Sequence, residues 1–410
     1  MERAWMKIFV VNCGSSSIKY QLFDMRTEST LARGLLERVG GGPARLCHST
    51  DGRKLEKAVS APNHTVGMKV VLEALEDPQV GVLKSIDEID GVGHRVVHGG
   101  EEVTHSCRID EALLEVIRRN AALAPLHNPP NLMGIEAALA AIRKAPHVAV
   151  FDTAFLSTLP PTAYRYAVPG EWYTRHRVRR YGFHGTSHRY VTYRAAELLG
   201  KDVSQVNLIT VHLGNGCSMT AVAGGKAVDH SMGMTPLEGL VMGTRSGDLD
   251  PAILLYMMGR GLSAAQVDAA LNKNSGLLGL SGVSNDMRDL LAAADGGNPD
   301  ARLAAEVFIY RVIKYIGAYH AILPPLDAVV LTGGIGENAR PIRAGILQGL
   351  VRLGVRPDPQ RNARTVGGEC GPISADGSAV PVWVIPTNEE LMIARDTAAI
   401  VRGEPVNNAS

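Results

Sequence analysis

Two segments, VVNCGSSSIKYQLF at 10–23 and TVHLGNGCSMTAVA at 210–223, share one plan: an apolar run, a polar residue, glycine, a small polar turn and an alternating strand. A repeat of this kind constrains the chain strongly, because it says that one supersecondary unit has been used twice. The first copy, Lys7 to Asp24, reads as two strands around a Gly-Ser turn, with Ile18, Tyr20 and Leu22 alternating on the second. The second copy, Asn207 to Asp229, reads as three strands joined by a Gly-Asn-Gly turn and a Gly-Gly turn. Further strands are expected at 93–97 and 148–151, with counterparts at 328–331 and 382–385. Strand-like runs alternate with helical patterns, which points to an α/β fold. The helical spacing over 389–401 predicts a helix that packs back on the first half, and DGGNP at 295–299 reads as a helix-to-helix loop.

With 410 residues the chain exceeds the roughly 250 to 300 at which single cores split. Two domains are expected: 1–152 together with 386–410, and 153–385. The 42 basic and 41 acidic residues leave a formal charge of +1, so there is no electrostatic footprint for nucleic acid or an anionic membrane. Ile8-Phe9-Val10-Val11 is too short for a signal segment and no run approaches a membrane span, so a cytoplasmic location is expected. The five cysteines are scattered and form no C-x-x-C pair, which fits a reducing compartment and neither a disulfide framework nor a zinc site.

Three small-residue turns follow apolar strands: Gly14-Ser15-Ser16-Ser17, Gly214-Asn215-Gly216 and Gly333-Gly334-Ile335-Gly336-Glu337-Asn338. Such turns let backbone N–H groups approach phosphate oxygens, and the last is expected to open a helix whose N-terminus attracts anions. Together they point to a nucleotide site. A P-loop is excluded because no G-x-x-x-x-G-K-[ST] occurs, and a Rossmann site because no G-x-G-x-x-G follows a strand. Two hairpin-bearing halves with facing phosphate loops match the actin, Hsp70 and sugar-kinase plan, a duplicated ribonuclease H-like fold with an interdomain active-site cleft. The strings NCGSSSIKY (12–20), GHRVVHGG (93–100), FDTAF (151–155), RRYGFHGTSH (179–188), HLGNGCS (212–218), GDLDP (247–251), GGIGEN (333–338) and PTNEEL (386–391) resemble, in order, the motifs of the acetokinase (acetate kinase) family.

The residues and the resemblance speak separately to the chemistry. Guanidinium forks suit a carboxylate and a transferring phosphoryl group, while a structural ion pair is the alternative for Arg95. The resemblance implies that Arg95 holds the substrate carboxylate and Arg245 stabilises the phosphoryl group in flight. His184, in a glycine-flanked loop, reads by itself as a satisfied structural histidine before a functional one; the resemblance makes it a hydrogen-bond donor to the transition state, with His127 nearby. Asp152 and Glu389 stand at matching strand ends, where acids of open α/β sheets line a crevice or cap a helix. The resemblance implies a catalytic place for Asp152 and Mg²⁺, or Mn²⁺ in its stead, on Asn12 and Glu389. Lys19 should point toward the phosphates with Ser15 and Ser17, a solvated strand-face lysine being the ordinary alternative. By resemblance, ATP or ADP is held by His212, Leu213, Gly214, Asn215 and Gly216, by Asp286, Met287 and Arg288, and by Gly334, Ile335, Gly336, Glu337 and Asn338. Val97, Leu126, Phe183 and Pro236 should bound a methyl-sized acceptor pocket.

The resemblance therefore implies an acetate kinase activity: in-line transfer of the γ-phosphoryl from ATP to acetate. A sugar hydroxyl needs a base, whereas a carboxylate is already ionised near neutral pH, so the role of Asp152 stays open among base, metal-water partner and electrostatic group. A phosphohistidine route through His184 is the alternative mechanism and propionate the alternative acceptor. A non-catalytic nucleotide-switched protein of the same fold is the rival from another class. The family is also typically homodimeric, and closure about hinges near 150–155 and 385–390 is expected.

Overall fold

The computed structural model describes residues 6–125 and 127–406. Two compact units emerge among the described residues: 6–155 joined by 388–406, and Leu156–Thr387 between them.

The first unit is built on an eight-stranded sheet. Its strands are β1 (Lys7–Gly14), β2 (Ser17–Asp24), β3 (Ser29–Glu37), β4 (Ala44–Thr50), β5 (Arg53–Val59), β6 (Gly91–Val96), β7 (Cys107–Arg108) and β8 (His147–Phe151), in the order β5-β4-β3-β2-β1-β6-β8-β7. β1, β6 and β8 run parallel, and β2 and β3 run antiparallel beside them. One face, carrying Phe9, Val11, Cys13, Ile18, Tyr20 and Leu22, is sealed by Met68, Val71, Leu72 and Leu75 of the helix His64–Glu76 and by Ala137 and Ala138 of the helix Asn128–Ala141. Gly134 lets the latter helix ride onto β1, since a Cβ there would lie 2.3 Å from the Cys13 sulfur. The opposite face takes the helix Glu389–Arg402, which lies over β1, β6 and β8. Glycine makes that approach feasible: a Cβ on Gly93 would meet Thr397 Oγ1 at 2.5 Å and Ile393 Cγ2 at 2.7 Å.

The second unit repeats the core of the first. Strands β9 (Leu208–Leu213), β10 (Cys217–Ala223), β11 (Lys226–His230), β12 (Ala328–Thr332), β13 (Gly371–Pro372) and β14 (Val382–Val384) form a sheet in the order β11-β10-β9-β12-β14-β13. β9, β12 and β14 are parallel and β10 and β11 antiparallel. β3-β2-β1-β6-β8 and β11-β10-β9-β12-β14 are thus the same topology, and the repeat seen at 10–23 and 210–223 extends to every strand expected from it. The DGGNP segment joins the helices Met287–Asp295 and Pro299–Ile322, the second capped by Asn298 Oδ1 accepting from the N–H groups of Asp300 and Ala301.

GGIGEN departs from its expected form. Instead of a turn that opens a helix, it is itself the helix Gly333–Asn338, followed by a second helix, Arg340–Gly349. Gly333 (φ +77°) bends the chain from β12 into the helix within one residue, at a point where a Cβ would sit 2.7 Å from the Leu213 carbonyl oxygen. Glu337 Oε1 then accepts the Gly333 N–H at 2.9 Å and the Thr387 N–H at 3.2 Å, closing the turn from within.

Candidate active site

In the first unit the parallel strands deliver polar groups to their C-terminal edge. Val10, Gly93 and Val148 are in register across β1, β6 and β8. The two-residue period of a strand therefore puts Asn12 and Arg95, two positions further on, and Asp152, four positions on and just past the end of β8, on the face that the helix Glu389–Arg402 covers. That helix starts at Glu389, after an N-cap in which Asn388 Oδ1 accepts the Leu391 N–H. Asp152 is buried and takes a two-pronged pair from Arg95, Nε to Oδ1 at 3.0 Å and Nη2 to Oδ2 at 2.6 Å. Burial works against the Arg95 charge, but Asp152, Glu389 and Glu390 outweigh it and raise its pKa above the ordinary arginine value. Nη1 of Arg95 has no hydrogen-bond partner among the described residues.

Burial pushes the half-buried Glu389 carboxyl up to about 7, with Arg95 and Lys19 opposing and Asp152 and Glu390 reinforcing. Lys19 sits opposite Asn12 in the β1–β2 ladder, and its ammonium pairs with Glu390, half-exposed, rather than reaching out beside Ser15 and Ser17. Ser15 is exposed at the turn and Ser17 opens β2. Three carboxylates (Asp152, Glu389, Glu390) thus share two cations (Arg95, Lys19), and burial remains the main cause of the raised Glu389. No group of three or more His, Cys, Asp and Glu is arranged for a metal among the described residues. One carboxylate and one amide oxygen are instead the kind of partial set that Mg²⁺ accepts, the remainder being water and substrate phosphate. The donor chemistry fits a hard divalent cation.

In the second unit the expected residues His184, Arg245 and Gly216 meet. His184 caps the helix Gly185–Leu199 in the left-handed region (φ 59°, ψ 23°), a conformation that costs a non-glycine residue and that here aims the ring off the helix end. Its Nδ1 is 2.9 Å from Ser218 Oγ, and its ring stacks on His212 at 4.5 Å between centroids. A Cβ built on Gly216 would lie 2.7 Å from Arg245 Nη2 and 3.3 Å from His184 Nε2, so glycine leaves both groups their place against the turn. Arg245 donates from Nη1 to the Pro236 carbonyl at 2.7 Å, and burial lowers its pKa. No carboxylate pairs with it among the described residues.

Beside this group, the Gly214-Asn215 turn, the Asp286-Met287-Arg288 segment and Gly334, Ile335 and Asn338 line a cavity of about 570 Å³. The sequence had not singled out Asn285, Leu291, Ala339, Arg340 and Pro341, which complete the wall. Asn285 Nδ2 donates to Asn215 Oδ1 at 2.9 Å, tying two walls together. Arg288 donates to Asp286, holding that carboxyl down at about 2. Leu213 is fully buried, Gly336 packs on Leu331 and Leu213, and Glu337 caps its own helix; these three lie outside the lining. Arg343, fully buried, donates to the Glu337 carbonyl at 2.6 Å and to Asn362, bracing this helix from behind.

The residues expected around the acceptor fall on both units. Val97 is buried on the first, its N–H held by Asn131 Oδ1, and His127 is exposed at the start of the helix Asn128–Ala141. Phe183 is buried and Pro236 half-buried on the second. Leu126 lies outside the described residues.

Residues 7–395 match the model of the acetokinase family. An acetate kinase of Methanosarcina thermophila is 53% identical over 401 residues, covering 97% of this chain and 98% of the relative. The crystal structure of Porphyromonas gingivalis acetate kinase aligns with a TM-score of 0.93 at 45% identity, over 97% of this chain and 100% of that one. A propionate kinase from Francisella tularensis aligns with a TM-score of 0.90 at 42% identity, over 96% and 99% respectively. With a family model matched almost end to end and relatives above half identity, the chain belongs to the acetokinase family.

Proposed function

We propose that this protein is an acetate kinase, reversibly transferring the γ-phosphoryl of ATP to the carboxylate of acetate to give acetyl phosphate and ADP. The observation that carries the reading is Arg245: a half-buried guanidinium with no acid beside it among the described residues, packed against a glycine turn next to His184. Such a cation is incomplete until an anion arrives, and a phosphoryl group spreading charge over three oxygens suits it. Around it, the turn at Gly214, Asn215 and Gly216, the segment 286–288 and Gly334, Ile335 and Asn338 hold the nucleotide in the cavity, with His212, Leu213, Gly336 and Glu337 shaping its supports. Ser15, Ser17 and Lys19 serve the phosphates; for Lys19 this means exchanging Glu390 for phosphate.

The acceptor carboxylate goes to Arg95, which keeps one nitrogen available while Asp152 fixes the other edge. Val97, Leu126, Phe183 and Pro236 bound its methyl group and His127 stands nearby. Being ionised already, acetate asks no residue to remove a proton, so Asp152 acts as the group that orients Arg95. Asn12 and Glu389 would hold Mg²⁺, with Mn²⁺ as substitute, and the metal when bound neutralises charge on the phosphates. Transfer is direct and in line, with His184 donating to the phosphoryl oxygens; net retention at a chiral γ-phosphorus would establish the phosphohistidine route instead.

Propionate is the second acceptor to consider, because the Francisella tularensis relative of nearly equal fold similarity is a propionate kinase and one methylene changes binding by only about 1 to 3 kcal/mol. A homodimer is proposed through the helix Ala252–Gly259, which leaves Ile253, Leu255, Tyr256 and Met258 exposed side by side. The cytoplasm is the proposed location, where the free cysteines would stay reduced. Trapping acyl phosphate as a hydroxamate, with acetate, ATP and Mg²⁺, tests the activity. Product above background is expected, and its absence would favour a nucleotide-switched protein without kinase activity.

A further inference from the structure

Behind His184 lies a chain of buried hydrogen bonds that the phosphoryl chemistry proposed above does not use. His188, one helical turn further on, places Nε2 2.7 Å from Ser218 Oγ and Nδ1 2.7 Å from Thr210 Oγ1. Ser218 Oγ in turn lies 2.9 Å from His184 Nδ1. Thr210, Ser218 and His188 are all fully buried, on β9, β10 and the helix Gly185–Leu199.

The chain has a preferred direction. The hydroxyl of Thr210 has one hydrogen-bond partner among the described residues, His188 Nδ1, so its proton has an acceptor only if that nitrogen is bare. His188 then carries its proton on Nε2 and donates to Ser218 Oγ. Ser218 then needs an acceptor for its one hydroxyl proton, and of its two side-chain partners only His184 Nδ1 can take it. The remaining proton of a neutral His184 must sit on Nε2, the atom that faces Gly216 beside Arg245 Nη2. Reversing a link strands a hydroxyl proton in a dry interior, that of Thr210 if His188 turns its Nδ1–H toward it and that of Ser218 if His184 Nδ1 carries the proton. Burial and the neighbouring His230 and His212 keep His188 neutral, as the relay requires.

A second brace fixes the same loop. His230 Nε2 accepts the Phe183 N–H at 3.1 Å, so its proton is on Nδ1, where Thr220 Oγ1 receives it at 2.9 Å. The backbone one residue before His184 is thereby held.

We propose that Ser218, anchored through His188 to Thr210, is a positioning residue that locks His184 in its Nε2–H tautomer, presenting a donor and never a bare nitrogen to the transferring phosphoryl group. The inference rests on the kinase reading, and its test separates the two.

The full-length enzyme, with ¹⁵N-labelled histidine rings, is examined by two-bond ¹H–¹⁵N correlation at neutral pH, the His184 signals being those lost in His184→Gln. The Nε2–H pattern is expected in the wild type; an Nδ1–H or doubly protonated ring overturns the proposal without any variant having to fold. Ser218→Ala should lower kcat for acetyl phosphate formation about 10- to 100-fold, with KM for ATP and acetate within about twofold, and let the His184 tautomers mix. Ser218→Thr, which keeps the hydroxyl, should restore most of the rate. Wild-type kcat in Ser218→Ala, or a loss of rate with the tautomer unchanged, refutes the relay and leaves the kinase reading intact. Failure of the wild type to form acetyl phosphate refutes the kinase reading itself.

Discussion

Gly93→Ala puts one methyl group between the sheet of the first unit and the helix that covers it. The new carbon would lie 2.5 Å from Thr397 Oγ1 and 2.7 Å from Ile393 Cγ2, where ordinary contact begins at 3.4 Å, so the helix must retreat by about 0.9 Å, the difference between 3.4 and 2.5. Neither neighbour can yield by rotation alone, because Thr397 is fully buried with its hydroxyl bonded to the Ile393 carbonyl at 2.7 Å. Overpacking of this kind costs about 1 to 3 kcal/mol. At roughly 2 to 4 °C per kcal/mol for a unit of this size, the melting temperature should fall by about 2 to 12 °C. The same displacement moves Glu389, the first residue of that helix, and an error near 1 Å in a catalytic group can cost on the order of 100-fold in rate. Calorimetry and the hydroxamate assay over a Mg²⁺ titration would report both effects, and removing the Oγ1 clash with Thr397→Ala should return part of the stability. A Gly93→Ala protein with wild-type melting and wild-type Mg²⁺ dependence would show that the glycine does not set the helix position.

Glu389 gives the metal-free protein a pH dependence. Its folded pKa of about 7 lies above the ordinary glutamate value, so the folded state binds more protons in between, and stability from this group is lost as pH rises from about 4.5 to about 7. The full shift would be worth about 3 kcal/mol, which partial solvent exposure reduces to about 1 to 2. Glu389→Gln should flatten denaturation free energies measured in chelator between those pH values, and Mg²⁺ should flatten the wild type; an unchanged slope in the variant would place the titration elsewhere. Val97→Ala should raise kcat/KM for propionate and butyrate relative to acetate, whereas an unchanged ratio would remove Val97 from the acceptor pocket. Leu255→Glu on the exposed helix Ala252–Gly259 should yield monomers in sedimentation velocity, and a persisting dimer would move the interface elsewhere.

The duplication was legible because strands and turns are written locally: an apolar run, a glycine, an alternating run. The two halves of the site were legible for a related reason, since strand ends and glycine turns have to carry the polar groups that line them. What stayed hidden depends on partners distant in sequence. Lys19 reads as a phosphate ligand until Glu390 arrives from the other end of the chain. GGIGEN reads as a loop because glycine disfavours helices, and only Glu337 turning back on Gly333 and Arg343 holding its carbonyls make it one. Ser218 and His188 did leave a trace, namely polar residues at strand positions whose neighbours are all apolar, and a second histidine four residues after the first. Without the three-dimensional crossing of β9, β10 and the helix, nothing joined them.

The first unit is discontinuous: its sheet is finished by residue 151, but the helix over it begins at residue 389. On the ribosome, the Gly91 and Gly93 face of that sheet therefore waits, bare, while more than two hundred further residues emerge and fold. The last of the proposed catalytic groups to be synthesised is also the one whose docking covers that apolar face. On the proposed assignment of sites, a nascent chain released early would carry the nucleotide unit complete and the acceptor unit open, able to hold ATP but not to transfer its phosphoryl group.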